Sequence, residues 1–144
     1  MWFFKPTIEE INQMSRNTMV EHLGITIIAI GDDYIEARMP VDKRTHQPMG
    51  LLHGGASVVL AETLGSFGAY LCVNPQEKAC VGLEINANHI RSVRTGFVIG
   101  RATPKHLGKT TQVWEIIVSA EDGKPVCLSR LTVQVLDIQK EALR

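Results

Sequence analysis

The chain has 144 residues, 44% hydrophobic and 21% charged, and its fifteen basic and fifteen acidic side chains cancel. These values fit a single domain spanning 1–144, long enough to bury roughly two thirds of its unfolded surface, and they argue against a disordered chain. With no net charge there is no global field to draw in nucleic acid or an anionic membrane, so neither is expected as a partner.

Thr7-Ile8-Glu9-Glu10 has the spacing of a capping box, and Ile8, Ile11 and Met14 continue it as a short amphipathic helix to about Asn17. Ile25 to Ile30 and Tyr34 to Met39 are β-branched runs around Gly31-Asp32-Asp33, which predicts a hairpin. Asp42 to Leu52 carries turn residues without a period and reads as a loop. From about Gly54 to Val73 the chain predicts a helix that is apolar on nearly every side, hence buried on several faces. Gly65 and Gly68 weaken that helix by about 1 kcal/mol each and admit a close neighbour. Val81 to Arg91, Phe97 to Thr103, Thr111 to Ala120 and Val126 to Leu136 read as strands, the last two joined by a tight turn at Glu121-Asp122-Gly123-Lys124. The expected fold class is α+β, one antiparallel sheet covering one long central helix.

Cys72, Cys80 and Cys127 are odd in number and lack the CxxC spacing of zinc sites, so reduced thiols and no metal centre are expected. The apolar run at Trp2-Phe3-Phe4 is too short for a signal peptide, and no uninterrupted apolar stretch reaches the roughly 20 residues of a membrane span. A cytoplasmic protein is the expectation.

Between Thr45 and Gln76 the only formal charge is Glu62. A carboxylate in apolar surroundings loses hydration worth several kcal/mol, so such a Glu is neutralised, paired or used. An ordinary helical Glu lies on a solvated face, but Gly55, Val58, Val59, Ser66 and Ala69 share this one, and none of them is a long polar side chain. His53-Gly54-Gly55 precedes the helix. The first-turn amides there lack intrahelical partners and suit an oxygen that gains negative charge, although two glycines also simply permit a sharp turn. Glu62 is seven residues past Gly55, roughly 10 Å along the axis. A base and an oxyanion donor acting on one carbonyl must both lie within about 3 Å of the reacting atoms. One helix does not supply both. Two antiparallel copies do, which predicts a homodimer with a shared active site.

Gln47-Pro48-Met49-Gly50, Leu52-His53-Gly54-Gly55, Ala61-Glu62 and Gly82-Leu83-Glu84-Ile85-Asn86-Ala87-Asn88-His89 resemble the hotdog-fold acyl-CoA thioesterases. The likeness is closest to the subfamily that hydrolyses 1,4-dihydroxy-2-naphthoyl-CoA in menaquinone synthesis, with its sister that proofreads enterobactin synthesis. It covers Trp2 to Val135, while the tail Leu136 to Arg144 is longer than that group has. The resemblance implies an antiparallel sheet wrapped around a long central helix, paired into dimers and then homotetramers. It implies that Glu62 is the catalytic carboxylate, attacking the thioester or activating water, and that the Gly55 N–H polarises the thioester carbonyl. It also implies that Gln47 and His53 orient the thioester and the water, with Ser66 in support one turn from Glu62.

Two polar clusters, Asn88 to Arg94 and Lys105 to Thr111, read as basic loops at adjacent strand ends that offer donors to CoA phosphates, or else as plain solvated charge. The resemblance assigns coenzyme contacts to Gly82, His89, Ile90, Arg91, Ser92, His106, Leu107, Gly108, Lys109, Thr110 and Thr111. CoA enters as part of the substrate, and no separate cofactor is expected. Phe67 is expected beside the acyl group, trimming its pocket. Other readings are a broad-specificity or carrier-protein proofreading thioesterase, a hydroxyacyl dehydratase (whose His-to-acid pattern is missing here), and a non-catalytic acyl-CoA binding protein.

Overall fold

The computed structural model describes residues 1–138, so the end of the long tail lies outside the described residues. The first element is set by its cap. The Glu10 N–H donates to the Thr7 hydroxyl at 3.1 Å and the Thr7 N–H donates to the Glu10 carboxylate at 2.8 Å, giving partners to two amides of the helix start. Helix α1 (Ile8–Gln13) buries Ile11 and stops short of the expected Asn17. Asn17 takes a left-handed φ of 59°, and Thr18 then caps a second short helix, α2 (Met19–His22), outside the predicted elements. The signal is there: Thr18-Met19-Val20-Glu21 repeats the Thr-x-x-Glu spacing of the first cap.

Strands β1 (Thr26–Ile30) and β2 (Ile35–Pro40) form the expected hairpin. After the loop comes α3 (Gly54–Leu71), then β3 (Lys78–His89), β4 (Phe97–Leu107), β5 (Thr111–Ala120) and β6 (Pro125–Asp137). All pair antiparallel in one six-stranded sheet, ordered β1-β2-β4-β5-β6-β3, and α3 packs against every strand from β2 to β6. This is the expected α+β layout, with the sheet wrapped around the long helix.

The core follows from the two periods. Leu60, Leu64 and Leu71 of α3 meet Ile35, Met39, Val98, Trp114, Ile116 and Leu131 of the sheet, all fully buried. Each such side chain contributes about 1.5–3 kcal/mol. Gly68 is what lets helix and sheet close: a Cβ there would lie 2.7 Å from the Trp114 ring.

Two boundaries differ from expectation in ways that matter for the site. Strand β4 runs to Leu107 instead of Thr103, so Lys105, His106 and Leu107 are strand residues and not a loop. Pro104 reads as a breaker, but the ladder passes it by a register shift between Pro104 and His106. Strand β3 begins at Lys78 and ends at His89, so Ile90 to Arg94 lie in the connection to β4.

The two sheet edges are unlike. At β1 the Asn12 side chain donates to the Ile27 carbonyl at 2.9 Å and accepts from the Ile27 N–H at 2.8 Å, closing that edge from α1 beside a bulge. At the other edge β3 pairs only with β6, and Val81 and Leu83 are 44% and 57% exposed.

Candidate active site

Glu62 lies where α3 turns away from the sheet. Ala61, Leu64, Gly65 and Gly68 face the strands, while Val59, Glu62, Thr63, Ser66, Phe67 and Tyr70 form a half-buried stripe on the other side. That stripe lines a cavity of about 490 Å³, whose opposite wall is Met14 after α1 together with Met19 and Val20 of α2. Phe67 lines the same cavity as Glu62 and Ser66. The α2 wall was missed together with its helix.

The carboxylate rests on β3 at Gly82. A Cβ on Gly82 would lie 2.7 Å from Glu62 Oε1, so only glycine leaves room for the acid in this position. The ladder shifts register between Gly82 and Glu84 at the same place. Among the described residues Glu62 forms no ion pair. Within one chain Glu62 is half-buried, because the strands cover only one side of α3.

A different set of predicted residues gathers at the start of α3. His53 is the N-cap, and its Nδ1 accepts from the Gly55 N–H at 2.7 Å. This amide is the donor expected to polarise a carbonyl, so the imidazole holds the position that a substrate oxygen would take, with Nδ1 bearing the lone pair. Gln47 folds on itself: the Met49 N–H donates to Gln47 Oε1, and the Gly50 N–H donates to the Gln47 carbonyl at 2.9 Å. Gln47, Gly54 and His89 to Ser92 line one cleft of about 430 Å³, and the His89 ring lies against Gly54, 2.8 Å from where its Cβ would be.

The loop that carries Gln47 and His53 is anchored, not free. The Leu52 N–H donates to the Val93 carbonyl at 2.8 Å, the His53 N–H to the Thr45 carbonyl at 2.8 Å, and the Val41 N–H to the Gly96 carbonyl at 2.8 Å. Asp42 bonds the Arg44 guanidinium and backbone, which holds its carboxyl down at about 2, so this turn stays ionised at neutral pH.

The third set, His106 to Thr111, is placed elsewhere again. The Gly108 N–H donates to the Thr111 carbonyl at 2.9 Å, making a tight β4–β5 turn, and the Val135 N–H donates to the Thr110 carbonyl at 2.9 Å. Lys105 is paired with Glu115 at 3.2 Å, while Lys109 lines a cleft with Lys78. The expectation that both basic clusters occupy adjacent strand ends is corrected. Strands β6 and β5 separate β3 from β4, and β3 and β4 run in opposite directions, so their C-terminal ends are at opposite ends of the sheet. Register shows which end is which: Gly82 pairs with Val133, Val133 with Gln112, and Gln112 with Leu107. His106 to Thr111 thus share the Glu62 end, and His89 to Ser92 share the Gly55 end.

Within one chain the predicted site residues therefore fall into two separate groups, each a candidate half-site. Glu62, Ser66 and Gly82 form one, with the β4–β5 turn at the same end of the sheet. Gln47, His53, Gly55 and His89 to Ser92 form the other. Glu62 is eight residues past Gly54, about 12 Å along α3. The three cysteines are free and none lines the Glu62 cavity; burial raises all three thiols, Cys72 to about 11, so they are neutral and unreactive at pH 7. No described helix is long and apolar enough to cross a membrane.

Known proteins are similar to this chain in sequence and fold. The thioesterase superfamily profile matches residues 49–127, the span from the Gln47 turn through Glu62 into β6. The chain is 54% identical over 136 residues to the 1,4-dihydroxy-2-naphthoyl-CoA hydrolase of Escherichia coli, covering 94% of this chain and 99% of that one. It is 52% identical over 136 residues to the proofreading thioesterase EntH of Cronobacter sakazakii, covering 94% and 98%. The crystal structure of a mutant thioesterase PA1618 from Pseudomonas aeruginosa superposes with a TM-score of 0.94 at 52% identity, covering 95% of this chain and 99% of that one. The chain belongs to the thioesterase superfamily and is a hotdog-fold thioester hydrolase.

Proposed function

We propose that the protein hydrolyses aromatic acyl-CoA thioesters, with 1,4-dihydroxy-2-naphthoyl-CoA as its substrate, at a site completed by a second copy of the chain. What carries the proposal is the unpaired Glu62 carboxylate on the wall of an otherwise uncharged cavity, with the Gly55 amide donor about two turns earlier on the same face of α3 and out of its reach within one chain. Antiparallel pairing through the open β3 edge sets the Glu62 end of one copy against the Gly55 end of the other. Glu62, Ser66, Gly82 and the turn His106 to Thr111 of one subunit then face Gln47, His53, Gly55 and His89 to Ser92 of its partner.

In this arrangement the acyl group enters the Glu62 cavity. The His53 ring gives up the Gly55 N–H to the thioester oxygen, which gains charge as the carbonyl carbon becomes tetrahedral. Glu62 either takes a proton from the attacking water or attacks the carbon itself, and Ser66 lies one turn away to support it. The C–S bond breaks and CoA leaves as its thiol, taking up the proton that water gives; the acyl group leaves as a carboxylic acid at once where water attacked, or after water hydrolyses its anhydride with Glu62 where the carboxylate attacked. CoA phosphates meet the cationic and hydroxyl groups of the two polar segments, and no further cofactor takes part. A cytoplasmic location, where acyl-CoA is made, completes the proposal.

The test is thiol release from dihydroxynaphthoyl-, benzoyl- and straight-chain acyl-CoAs. The aromatic thioesters are expected to give the highest kcat/KM, and Glu62→Gln to lower kcat by at least about 10³-fold with the fold intact. Activity of that variant within tenfold of the parent would remove Glu62 from the chemistry. An acyl group delivered on a carrier protein fits the same cavity, and higher kcat/KM on the carrier-bound acyl group would identify proofreading as the role.

A further inference from the structure

The Glu62 cavity extends along α3 past the acid. Along its α3 wall the lining residues follow the helix from Val59 through Glu62, Thr63, Ser66 and Phe67 to Tyr70. Tyr70 is eight residues past Glu62, about 12 Å along the axis. Beyond it α3 ends, and the N-terminal segment crosses the helix end: the Phe3 N–H donates to the Leu71 carbonyl at 2.8 Å. Phe4 meets Tyr70 edge to face, with ring centroids 5.3 Å apart. The segment is itself pinned. Trp2 stacks on the buried Trp114 at 6.2 Å between centroids, and its Nε1 donates to the Gly31 carbonyl at 2.7 Å. Tyr70 thus has a rigid backing.

We propose that Tyr70 is the end stop that limits acyl length in this hydrolase, and that Phe4 is its positioning residue. The inference rests on the acyl group occupying the Glu62 cavity. An acyl chain that starts at Glu62 and runs inward along α3 meets the Tyr70 ring, which the pinned N-terminal segment keeps from swinging aside. A compact aromatic acyl group ends short of Tyr70, whereas a long straight chain collides with it. One methylene too many in an apolar pocket changes kcat/KM about 10- to 200-fold, so a fixed wall discriminates strongly.

The experiment measures kcat/KM for benzoyl-, octanoyl- and dodecanoyl-CoA in the full-length chain and in Tyr70→Ala, Phe4→Ala and Phe4→Tyr. Tyr70→Ala is expected to raise the dodecanoyl-to-benzoyl ratio at least about tenfold. Phe4→Ala is expected to move the ratio the same way by a smaller factor, and Phe4→Tyr to restore it. A purely structural effect lowers all three substrates together and leaves the ratio alone, so partial unfolding does not imitate the result. A ratio in Tyr70→Ala within twofold of the parent overturns the end stop, and an unmoved ratio in Phe4→Ala overturns the positioning role. Should Glu62→Gln keep its turnover, the placement of the acyl group fails first. A dead Glu62→Gln with an unchanged Tyr70→Ala ratio counts against the end stop alone.

Discussion

Gly82 is the residue on which the acid depends. Its hydrogen is the only substituent that leaves space for Glu62 Oε1, since a Cβ would come within 2.7 Å of it. The clash is with the end of a flexible side chain, so Gly82→Ala is expected to turn the carboxylate aside and leave the fold intact. Misplacement of a reacting group by about 1 Å costs up to about 10²-fold, and kcat is expected to fall between about 10- and 100-fold with Tm little changed. Steady-state kinetics beside thermal melting checks this, and unchanged kcat would show that Glu62 reaches its working position elsewhere. The sequence identifies Gly82 only through a resemblance. Nothing in its local pattern reveals that the missing side chain faces Glu62, because that contact joins a helix to an edge strand across the fold.

At the scale of elements, α3 and Trp114 form the tightest join. The Trp114 ring is fully buried, stacked on Trp2 and bonded through Nε1 to Gln112 Oε1 at 2.9 Å, so it has little freedom to give way. Gly68→Ala forces a methyl against it. Overpacking of this kind costs about 1–3 kcal/mol, against about 1 kcal/mol that alanine returns in helix propensity. A net loss of about 1 kcal/mol is expected, read as a lower urea midpoint at constant m. The long helix, the β1–β2 hairpin and the four later strands were legible because their periods of 3.6 and 2 are set locally. Two elements were not. Helix α2 is a single turn, too short to display a period, and β4 continues past Pro104 because β5 supplies a ladder that shifts register there. The Met19 and Val20 wall of the Glu62 cavity and the strand position of His106 follow from these two features. The rule that adjacent segments bring their ends together also misled. Sheet order is a tertiary choice, and it sends the two basic clusters to opposite ends.

For the whole molecule, the arrangement of residues along α3 and β3 argues for a pair. Neither half-site has both an acid and an amide donor within reach of one carbonyl. Lysines at Val81 and Leu83, both exposed on the open strand, place charge on the surface that pairing would use. The double variant Val81→Lys/Leu83→Lys is expected to run as a monomer by light scattering and to lose about 10²-fold or more in kcat, the cost of removing the oxyanion donors. A monomer that still turns over at the parent rate would defeat the shared site. The sequence led to the pair through a distance along one helix, but it did not indicate which edge would serve.

Asn12 bears on how far such joining can go. A sheet with two receptive margins could add copies at both sides and grow into a ribbon without end. Here one margin is already answered, the Ile27 amide and carbonyl both being taken by a side chain of the same molecule. The proposed docking along β3 would then be a terminal event in the plane of the sheet, and a catalyst with the proposed shared centre would stay finite in that direction.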